Sequence, residues 1–423
     1  MAIITTLIIL SILILVHEAG HFLIARRLGI RVLTFSLGFG PKLVTWRWGE
    51  TEFAISAIPF GGYVKMAGDE PEDRPYEPDE FLGRPVSHRF SVVLGGPIFN
   101  ILLGFVVFLM AYGIFGLSVI PGTTVYRVEP GSVAEQSGLQ AMDQILAVDQ
   151  HPVRNWWEID QRLLKPGTHI LQVSRSSDTL RLMLTVQEPE SLGIEPLIPP
   201  VIGKVIRGGP ADQAGLRTGD QILASDTLPV RSWSELVEIV SAKPGDTVVI
   251  TVLRNGDTLH LAVPVEKSQD EMGNPRGRIG VVVATIRHRL GPVQVLTYSA
   301  AKTVESVVLT FTLLIKLILR QVSVKAIGGP VMIGKIVGQT ADVGLFQLFF
   351  LVAIISVNLG VINLLPIPAL DGGHLFLYTL EAIRRKPLSP KVQLWIQQIG
   401  MALLILLMIL ITFLDLTRIF GGK

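Results

Sequence analysis

The sequence predicts an integral membrane α-helical protein with four transmembrane helices and a duplicated soluble region inserted between the second and third. Three observations lead there. Hydrophobic residues make up 49% of the 423 and charged residues 17%, with a mean hydropathy of +0.50. That mixture is too apolar for an ordinary soluble enzyme and too polar for a bundle of spans alone. Four stretches have the length and apolarity to cross the hydrocarbon layer, which takes about 20 residues, and one pattern of residues occurs twice between two of them.

The first apolar stretch runs from Ala2 to Val16, continues through His17 to Ala25 and stops at Arg26 and Arg27. A cleavable leader carries its positive charge before the apolar run and a small-residue site after it. Here the order is reversed, so the segment reads as a retained span with Arg26, Arg27 and Arg31 in the cytoplasm. The second span fits Pro97 to Ile120, the third Leu345 to Leu365 and the fourth Ile399 to Leu414. Arg384, Arg385 and Lys386 follow the third, which places both termini outside the cytoplasm. Val307 to Leu319 is apolar but short and carries Lys316, with Arg320 behind it, so it reads as an amphipathic helix in the interface. A fifth span there would invert everything after it. The resulting division is a first span at 1–25, a cytoplasmic segment at 26–96 and a second span at 97–120. Repeats at 121–198 and 199–288 follow, then an interfacial segment at 289–344, a third span at 345–386 and a fourth with the C-terminus at 387–423.

A formal charge of +2 leaves no electrostatic footprint for nucleic acid. The chain has no cysteine. Disulfides and thiolate ligands are therefore excluded, and any metal must sit on His, Asp or Glu.

In the duplicated region, Gly138, Asp143, Ile145 and Trp156 recur as Gly215, Asp220, Ile222 and Trp233 at one constant offset. Each copy continues through a Pro-Gly turn (Pro166-Gly167, Pro244-Gly245) into alternating strands. The A-x-x-x-G-L-x-x-G-D-x-I-L pattern resembles a PDZ domain, which implies two inserted α+β modules. The first copy has Met142 where the second has Gly219. Glycine there permits a left-handed backbone, so the turn is expected to differ between the copies.

Chemistry concentrates in two places. At the inner end of the first span stands V-H-E-A-G-H-F. On a helix His17 and His21 lie one turn apart on one face, a spacing that lets both imidazoles reach one zinc ion. Glu18 stands beside them to take a proton from water activated by that zinc. Charged groups inside a bilayer cost at least about 2.5 kcal/mol each, so such residues point to a function. After the third span the chain reads N-L-G-V-I-N-L-L-P-I-P-A-L-D-G-G-H, from Asn358 to His374. Pro366 and Pro368 break the helix, and broken helices at membrane depth are tolerated where they line a cavity. Asp371 and His374 both have the chemistry of a third ligand, and spacing does not separate them. His88, His151, His169, His260 and His288 lack metal spacing. The acidic, Pro-rich run from Asp69 to Glu80 reads as a solvated loop, and Trp156, Trp157 and Trp233 as core or rim.

HEAGH, the tandem repeats and NLLPIPALDGGH together resemble the site-2 proteases of the bacterial RseP type over essentially the whole chain. The resemblance implies an intramembrane zinc endopeptidase with His17, His21 and Asp371 as Zn2+ ligands and Glu18 as catalytic base. His374 would be a neighbouring structural residue. It also implies Asn358 and Asn363 at the substrate strand or oxyanion, with Pro366 and Pro368 shaping the loop. S-L-G-F-G-P-K-L, with Gly38, Phe39 and Gly40, would belong to a membrane-re-entrant β-loop whose strand edge holds substrate extended. Substrates would be single-pass membrane proteins in the lipid bilayer of the bacterial inner membrane, such as an anti-sigma factor, and remnant signal peptides. The PDZ modules would be periplasmic and contact substrate or a periplasmic partner, and the site would lie near the cytoplasmic side. The competing classes are a PDZ-based membrane adaptor with a degenerate metal site and a metal transporter. The quartet His17, Glu18, His21, Asp371 disfavours the first, and its gathering near one membrane face disfavours the second.

Overall fold

Gly20, the only glycine before Arg26, lies where the first helix crosses the second: a Cβ there would stand 2.4 Å from the Gly95 carbonyl oxygen. The structure, a computed structural model, describes residues 2–70, 72, 74–163, 165–187, 192–269, 274–321, 329–386 and 388–420. It divides into two units, Met1–Phe115 with Leu290–Lys423, and Gly116–Arg289.

The first unit opens with α1 (Ala2–Arg27) and a pair of long strands, β1 (Val32–Trp48) and β2 (Thr51–Met66). Their register is interrupted: Trp46 faces Phe53, while Phe35 is partnered by both Phe53 and Val64. Bends at Gly38, Gly40 and Gly61, all at positive φ, fold the two strands into a small sheet. Helix α2 (Val86–Phe115) differs in both limits from the apolar run at Pro97 to Ile120. It starts earlier because Val92 and Val93 are buried in a core with Phe22 and Ala25 of α1, a burial that hydropathy alone does not register. It stops earlier because Gly116 turns at φ +70° and the next residues enter a strand.

The second unit begins with β3 (Leu117–Val119). Its first repeat comprises β4 (Val125–Val128), α3 (Val133–Gln136), β5 (Gln144–Val148), β6 (His151–Pro152), α4 (Trp156–Leu163), β7 (Gly167–Arg175), β8 (Asp178–Val186) and β9 (Ile194–Pro196). The second repeats that order with β10 (Ile202–Val205), α5 (Pro210–Gln213), β11 (Gln221–Ser225), β12 (Leu228–Pro229), α6 (Trp233–Ser241), β13 (Thr247–Arg254) and β14 (Asp257–Pro264). It adds β15 (Glu266–Gln269), β16 (Pro275–Arg278) and β17 (Val281–Val283), and β18 (Ile286–His288) then pairs back with β3. The two four-stranded sheets share one order, β6-β5-β7-β8 and β12-β11-β13-β14. Ile145, Ile159, Leu171 and Leu184 fill the first core, and Ile222, Leu236, Ile250 and Val263 the second. Trp156 is buried in the first core, and Trp157 packs on His288.

The expected difference between the two repeat turns is not observed. Met142 sits at φ +70° and Gly219 at φ +92°. The N–H of Met142 bonds Val125 and that of Gly219 bonds Ile202 in the same way. The surrounding hydrogen bonds impose the left-handed turn on Met142 despite a cost of about 1–2 kcal/mol.

Asp143 and Asp220, part of the repeat signature, each receive a two-pronged guanidinium, from Arg175 and Arg254. Burial pushes the Asp220 carboxyl up, but the Arg254 guanidinium and the Arg217 N–H outweigh it and hold it below the usual carboxylate range. Its contribution to stability is therefore complete above the unfolded value near ~4 and is lost as pH falls through the folded value. Replacing Asp220 by Asn should cost about 1.5–3 kcal/mol at neutral pH by removing the charged acceptor of the Arg254 guanidinium. Melting curves of the two proteins should converge in acid; a gap that persists below the folded value would mean that packing, not charge, sets the loss.

The chain re-enters the first unit with α7 (Pro292–Ile318), α8 (Pro330–Val343), α9 (Leu345–Asn363), α10 (Asp371–Arg384) and α11 (Pro390–Phe420). Val307 to Leu319 is the C-terminal, nearly half-length, part of the long α7 and its cap. Tyr298 of α7 meets Tyr112, Lys302 lies over Phe350 and Thr310 bonds Asn358, so α7 runs parallel to α9. Ser299, Thr303, Ser306 and Thr310 return their hydroxyls to carbonyls one turn back at 2.7 Å each, which lets a polar stripe be buried. Helix α9 lies against α2, where Gly104 admits Val357 and Gly360 admits Ile101. Asp415 of α11 accepts the N–H groups of Gly329 and Met332 at 3.1 and 2.9 Å, satisfying free donors at the start of α8. Among the described residues, four helices are long and apolar enough to cross a membrane: Ile4–Arg27, Val86–Phe115, Leu345–Asn363 and Lys391–Asp415.

Candidate active site

The break between α9 and α10 delivers Asp371. Leu364 to Leu370 turn the chain, with Ala369 at φ +78°, and Asp371 is the first residue of α10. The glycines that follow are sterically required. A Cβ on Gly372 would lie 2.1 Å from the Leu365 carbonyl oxygen, and one on Gly373 would lie 2.5 Å from that of Ile367. Pro368 in turn lies so close to α11 that a Cβ on Gly400 would stand 2.3 Å from it. The far end of α10 is fixed by a buried ion pair, Glu381 with Arg89 of α2 at 2.6 and 3.1 Å, with the guanidinium over the Tyr378 ring.

Held in this way, the Asp371 carboxylate reaches α1. Its Oδ2 lies 3.1 Å from His17 Nε2 and 3.5 Å from His21 Nε2. The two imidazole nitrogens are 3.3 Å apart, and the three ligand atoms all lie within 4.8 Å of one another. Among the described residues this is the one such group of His, Asp and Glu. His374 stands one turn later, beside Tyr378, outside the group.

The donor set fits a metal cation. Asp371 Oδ2 is buried, and although two imidazoles approach it, no hydrogen bond from the described residues is aligned on it. His21 Nδ1 lies 2.9 Å from the Val92 carbonyl oxygen, which can only accept, so Nδ1 carries the proton and Nε2 keeps its lone pair. Space for the rings is made by Gly96: a Cβ there would lie 2.3 Å from His21 Nε2 and 2.8 Å from His17 Cε1. Beyond His17, the Asn100 amide nitrogen lies 3.3 Å from Nδ1.

Glu18 opens onto a cavity of about 220 Å³ that it shares with His21, Asp371 and His374. The small sheet supplies one wall through Val64 and Met66, and a Cβ on Gly62 would lie 3.1 Å from Glu18 Cγ. The acidic run from Asp69 is more than a solvated loop. Asp69, Phe81 and Leu82 line this cavity, and Glu80 is buried under a two-pronged Arg74. Pro71 and Asp73 of that run lie outside the described residues.

The residues expected at the substrate are not among those lining this cavity. The Asn358 side chain lies 2.6 Å from the Thr310 hydroxyl, and Asn363 ends α9. Pro366 and Pro368 lie in the break. Gly38 and Gly40 bend β1, and Phe39 is exposed and stacked on Tyr63. Val92, Gly96, Asn100 and Gly62 were not singled out in the sequence. The paired glycines Gly95-Gly96 and Gly61-Gly62, and a lone amide within an apolar span, are signals for Gly96, Gly62 and Asn100, whereas Val92 acts through its main chain and has none.

Two imidazoles and a carboxylate converge from two helices remote in the chain, with another carboxylate alongside, an arrangement able to hold a metal ion beside a proton acceptor. The model of peptidase family M50 matches residues 5–407, and the chain belongs to that family. It is 35% identical to the regulator of sigma-E protease RseP of Salmonella typhimurium, covering 98% of each chain. Identity to the Escherichia coli protein of that name is 34% over 97% of each. A relative in Neisseria meningitidis whose name designates a zinc metalloprotease is 35% identical over 98% of each. The PDZ domain of the SdrC-like protein from Listeria monocytogenes aligns with 20% of this chain and 85% of its own, at 25% identity and a TM-score of 0.18.

Proposed function

We propose that this protein is an intramembrane zinc endopeptidase that cuts the membrane segments of single-pass proteins. The observation that carries the reading is the convergence of His17, His21 and Asp371 around a buried carboxylate oxygen with no aligned hydrogen bond. Those three residues would hold the zinc. When bound, zinc supplies Lewis acidity that polarises the scissile carbonyl and makes water nucleophilic at neutral pH. Glu18 takes the proton from the attacking water as oxygen adds to the carbonyl carbon. It then gives that proton to the leaving nitrogen as the C–N bond breaks.

The edge of β2 at Gly62 to Met66, beside Glu18, suits an extended substrate held by main-chain hydrogen bonds. Gly38, Phe39 and Gly40 would shape that sheet, and Asn358, Asn363, Pro366 and Pro368 would steady the substrate or the developing oxyanion. Asn358 exchanges its Thr310 bond for substrate in this reading. The basic residues after α1 and α10 favour a bacterial inner membrane orientation with the site near the cytoplasmic side and the repeats and termini periplasmic. Substrates would be anti-sigma factors and remnant signal peptides, and the PDZ-type repeats would restrict entry by size.

The test is metal content. Asp371→Ala should lower zinc per chain in detergent-purified protein far more than His374→Ala. The reverse order would move the third ligand to His374 and break the reading of α10.

A further inference from the structure

Asn100 is 1% exposed in the middle of α2, and its carboxamide is half satisfied. The amide nitrogen lies 3.3 Å from His17 Nδ1, while Oδ1 is buried with no hydrogen-bond partner among the described residues. The backbone at this point is fixed, because the Asn100 carbonyl accepts the Ser356 hydroxyl at 2.7 Å. A neutral imidazole carries one N–H. His17 turns Nε2 toward Asp371 and His21, so a lone pair on Nε2 requires the proton on Nδ1, and that proton needs an acceptor. For His21 the Val92 carbonyl plays this part. For His17, among the described residues, the group brought to Nδ1 is the Asn100 carboxamide. Its two ends have nearly the same shape and exchange places by a half-turn about Cβ–Cγ. The half-turn brings the unpartnered oxygen onto the Nδ1 proton.

We infer that Asn100 is the positioning residue of His17, its side-chain oxygen accepting the Nδ1 proton and holding Nε2 open toward a metal. The inference rests on the zinc reading above. It makes the two histidines equivalent in chemistry but not in source, one served by a main-chain carbonyl and the other by a side chain that substitution can change.

The experiment uses full-length protein in detergent and two readouts, zinc affinity by chelator competition and the visible spectrum of the Co2+-substituted protein. Asn100→Asp keeps an oxygen acceptor and removes the amide donor. Asn100→Leu and Asn100→Ala remove both, and the smaller alanine carries the comparison if leucine prevents folding. Loss of a partner to a ligating histidine weakens metal binding by about 10–100-fold. That loss, with an altered Co2+ spectrum, is expected for Leu and Ala, whereas Asp should stay within a few-fold of wild type with an unchanged spectrum. An Asp variant as weak as Ala would overturn the inference by showing that the amide donates or merely packs. Wild-type affinity in the Ala variant would overturn it as well, with the zinc reading intact. A wild type that takes up neither zinc nor Co2+ would remove both together.

Discussion

Glu18→Gln should reduce cleavage of a membrane-embedded substrate by about 10²–10⁴-fold while zinc per chain stays at the wild-type level. The substitution keeps shape and hydrogen-bonding reach but removes the ability to take a proton. Glu18 is adjacent in sequence to His17 yet lies outside the group that His17, His21 and Asp371 form, facing the cavity instead. Metal content and turnover should therefore separate cleanly. A variant that still turns over within a few-fold of wild type would remove Glu18 from the reaction. One that loses zinc in parallel would make it a ligand.

Gly96→Ala should abolish metal binding and activity together, although the change adds one methyl group far from any titratable side chain in sequence. The added carbon would stand 2.3 Å from His21 Nε2 and 2.6 Å from His21 Cε1. Relief by separating the two helices would give up the close packing of α1 on α2 at Gly20 and Gly95. The ring must rotate, which breaks its 2.9 Å bond to the Val92 carbonyl and turns Nε2 away. Equilibrium dialysis against buffered zinc measures the loss directly, and an intact thermal transition would show that the fold survives. Retained zinc would mean that the helices separate more easily than their close contact implies.

These two residues show what the sequence reveals and what it hides. The His17, Glu18, His21 cluster is legible because ionisable groups in an apolar run demand a reason to be there. The tandem repeats are legible because duplication needs no physical model to detect. Gly96 carries no charge and no periodicity, and its role arises only from a helix crossing that joins residues remote in the chain. Asn100 is similar: a single amide in a span, given meaning by the ring opposite it. The choice between Asp371 and His374 was open because both begin the same helix. The tight turn at Gly372 and Gly373 aims the first residue, not the fourth, at α1. The start of α2 at Val86 was missed for the opposite reason, since its first turns are amphipathic and owe their burial to α1. Met142 reverses a local preference outright, because the hydrogen bonds around it fix the turn whichever residue occupies it.

X-ray absorption at the zinc edge of purified full-length protein tests most directly whether α1 and α10 share one ion. The expected spectrum has one zinc per chain with two imidazole nitrogens and carboxylate oxygen in its inner shell, losing a nitrogen shell in His21→Ala and the carboxylate in Asp371→Ala. A zinc environment indifferent to both substitutions, or protein that purifies without zinc and takes up none, would contradict a shared ion.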